Sequence, residues 1–168
     1  MLAYIKKTYK SMSPLDCEVD DVVCYKKAES PDKYILCAID KDVLYQSVGR
    51  HYNYGTDKWI TVSQEEAIYY SFLQTLTGDT TDGYKGCKNI GPVKAKKILG
   101  EPGEYSERTL WAKVLLAYRK ANMKKLEAYT TMRLANMHQL KRNKQGKLRI
   151  QLWAPPKQGE EQLDYIPF

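Results

Sequence analysis

Three short groups of acids are the residues of this chain best suited to chemistry: Glu18, Asp20 and Asp21; Asp40 and Asp42; and Asp79 and Asp82. Singly, each has an ordinary explanation. Acids near Glu18 can complement the positive end of a helix. Asp40 and Asp42 can be loop residues, and Asp79 and Asp82 can cap a turn. Brought together, these carboxylates would repel one another strongly unless cations neutralised them, and hard oxygen donors select Mg²⁺ or Mn²⁺. Two such ions about 4 Å apart activate a water and stabilise the leaving oxygen of a phosphodiester. That chemistry needs no nucleophilic Ser or Cys, and the sequence offers no convincing one. His51 and His138 lie in different regions and read as incidental. Cys17, Cys24, Cys37 and Cys87 form no Cys-x-x-Cys pair, so they read as reduced thiols rather than zinc ligands.

A second constellation follows the acids. Residues 1–82 carry 9 Lys and Arg against 13 Asp and Glu, whereas residues 83–149 carry 17 against 4. Clustered Lys and Arg release counterions from a phosphate backbone. Within the basic half, Gly86-Cys87-Lys88-Asn89-Ile90-Gly91-Pro92 reads as a tight turn between helices. Gly91 lets a ligand approach the backbone, and the N–H groups opening the next helix can hold a phosphate. Lys85, Lys88, Lys94, Lys96 and Lys97 surround that position. Such contacts grip the backbone without reading sequence, and no Arg/Asn/Gln face suited to base edges is present. A plain helix–turn–helix packing motif is the alternative. Most of the 14 tyrosines fall on apolar faces; Tyr84 and Tyr105, in expected loops, are the candidates for stacking on bases.

These groups need elements to position them. A short helix is expected over residues 3–12, and another from Glu18 to Ala28, stopped by Pro31. The apolar run Tyr34–Ile39 reads as a buried parallel strand that delivers Asp40 and Asp42 at its carboxyl end. Residues 50–54 and 58–62 read as strands around a Gly55-Thr56-Asp57 turn. Ser63 and Glu66 fit a capping box for a helix to Thr77, with Ala67, Tyr70, Leu73 and Leu76 as its apolar face and Gly78 as its end. A loop at 79–86 leads to a helix from Pro92 to Leu99, capped by Gly100. Helices at 107–118 and 123–138, a last strand near 148–152, and a loose tail after Pro156 complete the pattern. No apolar run approaches the roughly 18 residues of a membrane span, and no signal-peptide core opens the chain. A cytoplasmic protein without a membrane partner is expected.

In order, these motifs resemble the flap-endonuclease superfamily of 5′→3′ nucleases. Glu18-Val-Asp20-Asp21 resembles its Glu-x-Asp-Asp signature, and Ile39-Asp40-Lys41-Asp42 its Asp-Lys-Asp motif. Gly78-Asp79-Thr-Thr-Asp82-Gly resembles its Gly-Asp-x-x-Asp motif, running into a helix-three-turn-helix element at 86–95. Residues 76–84 and Leu152-Trp153-Ala-Pro155 are especially similar to the 5′→3′ exonucleases of podophages, which implies a host cytoplasm if the chain is phage-encoded.

The resemblance implies an α/β fold: a partial PIN-like, Rossmann-like nuclease core with few strands, plus a helical helix-three-turn-helix region. It divides the chain into the carboxyl-terminal half of a catalytic domain (1–82), a duplex-binding region (83–140) and a basic segment, final strand and tail (141–168). Glu18, Asp20, Asp40 and Asp42 would be catalytic and, with Asp21, Asp79 and Asp82, would hold two Mg²⁺ or Mn²⁺ ions. Lys85, Lys88, Asn89, Gly91, Lys94, Lys96 and Lys97 would hold duplex DNA bearing a 5′ end, nick or flap, a K⁺ bridging at the turn in some relatives. The family turn usually has glycine where this chain has Asn89, a residue that tolerates positive φ. Family members also open with strands and an arch that do not precede Glu18, so a fragment, one half of a split nuclease or a truncated relative is expected, with an amino-terminal half on a separate chain as the partner in the split case. Two other readings stay open: a duplex-binding module without catalysis, and an interaction protein that pairs with an intact nuclease.

Overall fold

The computed structural model describes residues 7–8, 17–137, 139–146 and 148–156. The helix expected over 3–12 lies mostly outside these residues, and the tail after Pro156, His138 and Asp16 lie wholly outside them.

Helix α1, Val19–Glu29, has Asp20 and Asp21 in its first turn and Lys26 and Lys27 in its last, the charge order that suits a helix dipole. Lys27 is 1% exposed. Its ammonium donates to the carbonyls of Pro31 and Tyr34, tying the end of α1 to the chain that enters the sheet. Strand β1, Leu36–Ala38, pairs in parallel with β2, Gly49–Asn53, and β2 pairs antiparallel with β3, Lys58–Val62. The expected turn sits between β2 and β3, with Asp57 at φ 55°.

The run Tyr34–Ile39 is not the buried strand its composition suggests. Only three of its residues are strand. Ile35 and Ile39 are 51% and 57% exposed, because β1 lies at the edge of its sheet. Asp40 and Asp42 do not sit in a loop either. Asp40 caps a short helix α2, Lys41–Tyr45, and accepts a hydrogen bond from the Asp42 N–H at 2.8 Å.

Helix α3, Gln64–Thr77, opens with the capping box: Ser63 Oγ accepts from the Glu66 N–H, and Glu66 Oε2 accepts from the Ser63 N–H. Gly78 ends it at φ 69°. The buried face carries Ala67, Tyr69, Ser71, Phe72, Gln74, Thr75 and Leu76. Tyr70 and Leu73 are only half-buried, a rotation from the expected face. Elements pack on two sides of α3, so its buried stripe is wider than apolar spacing alone indicates.

The expected loop at 79–86 is a small hairpin, β4 Gly78–Asp79 against β5 Tyr84–Lys85. A Cβ on Gly86 would lie 2.3 Å from the Gly78 nitrogen and 2.4 Å from the Leu76 carbonyl oxygen. Glycine is therefore required where the chain crosses back over the end of α3, and the Cys87 N–H donates to Leu76 O at 2.9 Å. Helices α4 Pro92–Leu99, α5 Glu107–Lys120 and α6 Lys125–Ala135 follow. The last is shorter than the expected 123–138 and is entered by Lys124, whose N–H donates to Glu127 Oε2 at 2.7 Å. The expected final strand is present as β7, Leu148–Ile150, and pairs with a strand the sequence reading did not include, β6, Leu140–Arg142.

The main apolar cluster joins Tyr69, Phe72 and Leu76 of α3 to Ala95 and Leu99 of α4, Trp111, Val114 and Tyr118 of α5, and Ala128 and Met132 of α6. Burying side chains such as Phe72 and Leu76 stabilises the fold by about 2–3 kcal/mol each. This core straddles position 82. A smaller cluster of Cys24, Leu36 and Val43 holds α1, β1 and α2 together. No helix among the described residues is long and apolar enough to cross a membrane.

Candidate functional site

The two clusters bring the three acidic groups to one place. The smaller one fixes the start of α1, with Glu18, Asp20 and Asp21, beside the start of α2, with Asp40 and Asp42. The larger one fixes α3, whose end leads into Asp79. Carboxylate oxygens of Asp42, Asp79 and Asp82 all lie within 4.8 Å of one another. Asp20 belongs to the same field: burial raises its pKa, and the charges of Asp40, Glu18 and Asp82 raise it further. Asp21 is raised by burial, with Glu18 and Asp20 as its charged neighbours. It stands at the margin of the group.

Asp42 is 7% exposed. Burial, then the charge of Asp40, pushes its carboxyl up to about 6, although Gln74 and Lys41 oppose the shift. Gln74 Nε2 donates to Asp42 Oδ1 at 2.5 Å. Gln74 is in turn held by Gln46 Nε2, at 3.0 Å from its Oε1. Gln46 also donates to Ala135 O and accepts from Ser71 Oγ and the Met137 N–H. A buried chain of amides thus fixes the Asp42 carboxylate against α3 and the end of α6. The Tyr70 hydroxyl approaches the same Asp42 oxygen at 3.5 Å.

Asp79 is 4% exposed and behaves differently. Burial pushes its carboxyl up, but the Lys41 ion pair and the N–H groups of Thr81 and Asp82 outweigh that and leave it below the usual carboxylate range. Thr81 N donates to Asp79 Oδ1 at 2.8 Å, which folds the 79–82 turn so that Asp82 joins the group. Sequence reasoning gave Lys41, Gln74 and Tyr70 no role at this site and read Tyr84 as a candidate for stacking on bases. Gln74 did carry a signal, an amide in the middle of an amphipathic helix.

Tyr84 is not a base-stacking platform. It is directly opposite Asp79 across the hairpin, and its hydroxyl is buried without a partner. Burial, then Asp42, Asp79 and Asp82, drives its pKa upward. Tyr105 is 37% exposed, and the Lys113 ammonium sits 3.3 Å from its ring centroid, covering one face.

The basic turn lies at the other end of the same hairpin. Asn89 has φ 59°, the left-handed conformation that asparagine tolerates. Gly91 is the N-cap of α4 in extended conformation, with Pro92 following and no side chain capping the helix. The space beside Gly91 is open: a Cβ there would meet nothing within 4 Å. Lys85, Lys88, Asn89, Gly91, Lys94, Lys96 and Lys97 are all exposed. Lys94 Nζ reaches Asn89 O at 3.3 Å, and Ala95 and Leu99 anchor α4 from beneath. Lys88 follows Asp82 by six positions, so their Cα atoms are at most about 20 Å apart.

The architecture has counterparts among solved structures. The chain is similar to the T5 D15 protein crystallised with metal ions, at a TM-score of 0.58 and 14% identity, covering 79% of this chain and 56% of that one. It is also similar to a lysine-to-alanine mutant of the T5 5′-exonuclease, at a TM-score of 0.49 and 15% identity, covering 78% of this chain and 71% of that one. The chain thus spans little more than half the length of the D15 chain it matches. No family model matches the sequence, and no curated protein matches it significantly. At this identity the likeness is one of fold: the chain shares the mixed α/β architecture of the matched part of the T5 D15 protein.

Proposed function

We propose that this chain carries the carboxylate site and the duplex grip of a metal-dependent 5′→3′ DNA exonuclease or flap endonuclease. The observation that carries this reading is the convergence of Asp42, Asp79 and Asp82 within 4.8 Å, with Asp42 raised to about 6 by burial and like charge. Carboxylates held this close without a cation are mutually destabilising. The donors are all oxygen, a set that suits Mg²⁺ or Mn²⁺. Asp42, Asp79 and Asp82 would hold one ion, and Glu18, Asp20 and Asp40 would hold or orient the other, with Asp21 beside them. When bound, two such ions supply an activated water and stabilise the leaving oxygen of a phosphodiester.

The remaining roles fall to the chain itself. Gln74 and the amide chain behind it keep the Asp42 carboxylate in one orientation, which is what a site of fixed geometry requires. The open start of α4 and its lysines would hold duplex phosphates, so grip would be independent of sequence. The exposed Ile35 and Ile39, which flank edge strand β1, favour a further polypeptide layer there, and we assign full activity to an assembly that includes it, an amino-terminal nuclease half being the partner in this reading.

One observation favours a second reading. Lys41 already neutralises Asp79, as it would in a duplex-binding module without catalysis. A nuclease assay on a 5′-labelled nicked duplex, with and without Mn²⁺, tests the first reading. Mn²⁺-dependent cleavage lost in Asp42→Asn supports it. Duplex binding that persists with no Mn²⁺ binding at the acids would reject it in favour of the second.

A further inference from the structure

Among the described residues, five buried side-chain polar atoms lack a hydrogen-bond partner, and one of them, the Tyr84 hydroxyl, belongs to the acidic site. Directly opposed residues of a hairpin place their side chains on the same face, and Tyr84 opposes Asp79. The charges of Asp42, Asp79 and Asp82 all act on this phenol. The other polar groups bonded to these acids are committed: Gln74 to Asp42 and Gln46, Lys41 to Asp79, Thr81 N to Asp79. Tyr84 offers an O–H donor with no acceptor, in a place where a buried donor without one is costly. Beside three carboxylates, the acceptor that suits it is a water held by a cation. Mg²⁺ and Mn²⁺ keep several waters in octahedral array, whereas Ca²⁺ sheds them readily and takes more ligands in looser geometry.

We infer that Tyr84 is a positioning residue whose hydroxyl donates to a water ligand of the cation at Asp42, Asp79 and Asp82, and so favours Mg²⁺ or Mn²⁺ over Ca²⁺. This inference rests on the metal reading of the acids and adds to it the source of cation selectivity. Its test is a pair of binding measurements on the full chain: Mn²⁺ by paramagnetic resonance of the free ion and Ca²⁺ by calorimetry, with metal-free melting measured alongside. Tyr84→Phe removes the hydroxyl and keeps the ring. Mn²⁺ affinity is expected to fall about tenfold, with Ca²⁺ affinity within about twofold and the metal-free melting temperature unchanged or higher. Unchanged Mn²⁺ affinity, or equal loss of both ions, overturns the assignment. A lowered metal-free melting temperature with unchanged affinities gives the hydroxyl to the fold and overturns it too. The Asp79→Asn variant separates the two levels. If the parent chain binds Mn²⁺ no better than Asp79→Asn does, the metal reading itself fails; if only that variant loses Mn²⁺, the metal reading stands and the Tyr84 inference alone is refuted.

Discussion

Asp42→Asn should make the metal-free protein more stable at neutral pH and should do so by an amount that depends on pH in a defined way. The folded Asp42 carboxyl holds its proton up to about pH 6, against an ordinary value of 3.8. Between those values the folded state binds more protons than the unfolded one, so stability falls as pH rises through that window. Below the window the destabilisation is absent. A shift of roughly two units, at about 1.4 kcal/mol each, sets its full size at about 3 kcal/mol. Asparagine is nearly isosteric and keeps an oxygen for the Gln74 amide, so the variant removes the charge and little else. In EDTA at pH 7.5, denaturant unfolding should show the variant more stable by about 2–3 kcal/mol, corresponding to a rise in Tm of about 4–12 °C for a chain of this size. At pH 4 the two proteins should differ little. Adding Mn²⁺ should reverse the order, because the parent gains binding energy that the variant cannot. An Asp42→Asn variant no more stable than its parent at pH 7.5, or a gain that persists unchanged at pH 4, would refute the electrostatic account of the site.

Other outcomes follow from the same structure. Lys41→Gln should tighten Mn²⁺ binding several-fold, since the ammonium on Asp79 competes with the ion; weaker binding in titration would show that Lys41 supports the site instead. Gly86→Ala should cost about 3 kcal/mol or more, because the new methyl meets backbone atoms that cannot yield. Gly91→Ala, in open space at an allowed φ, should stay within about 0.5 kcal/mol; denaturant unfolding compares the pair directly. Lys94→Ala and Lys97→Ala should weaken duplex binding equally for unrelated sequences. Each should also lower the salt dependence by about one unit of slope for the phosphate it no longer grips, measured by anisotropy over a salt series.

The parts of this fold legible in the sequence are those decided locally. Ser63 with Glu66, Gly78, Pro92 and Gly100 mark helix ends through their own backbone chemistry, and each stands where its residue type puts it. The parts that were not legible depend on neighbours. Tyr34–Ile39 is apolar enough for a central strand, but apolar composition does not say how many strands lie beside it. The stripe of α3 is set by what packs on both sides, including Gln46 and the chain near Trp153, so Gln74 faces inward where a helical wheel would leave it unassigned. The last strand, β7, was legible from its alternation, but its partner β6 was hidden by Lys141 and Arg142, which occupy exposed positions of a two-stranded ribbon. The acids were found as three groups because their residue types are distinctive. Their partners, a glutamine and two tyrosines, belong to types that mostly serve packing, and only three-dimensional proximity reveals what they do.

The close approach of Gly78 and Gly86 has a consequence for where a strand would be cut. It closes the short hairpin at its base, so the acids at the tip and the lysine-bearing turn beyond it cannot slide past each other. If the turn grips a duplex and the acids cleave it, the number of nucleotides between grip and cut is a constant of the protein, built into a loop of backbone rather than into any recognition of bases. The hairpin would act as a ruler, and lengthening it by a residue would move the mark.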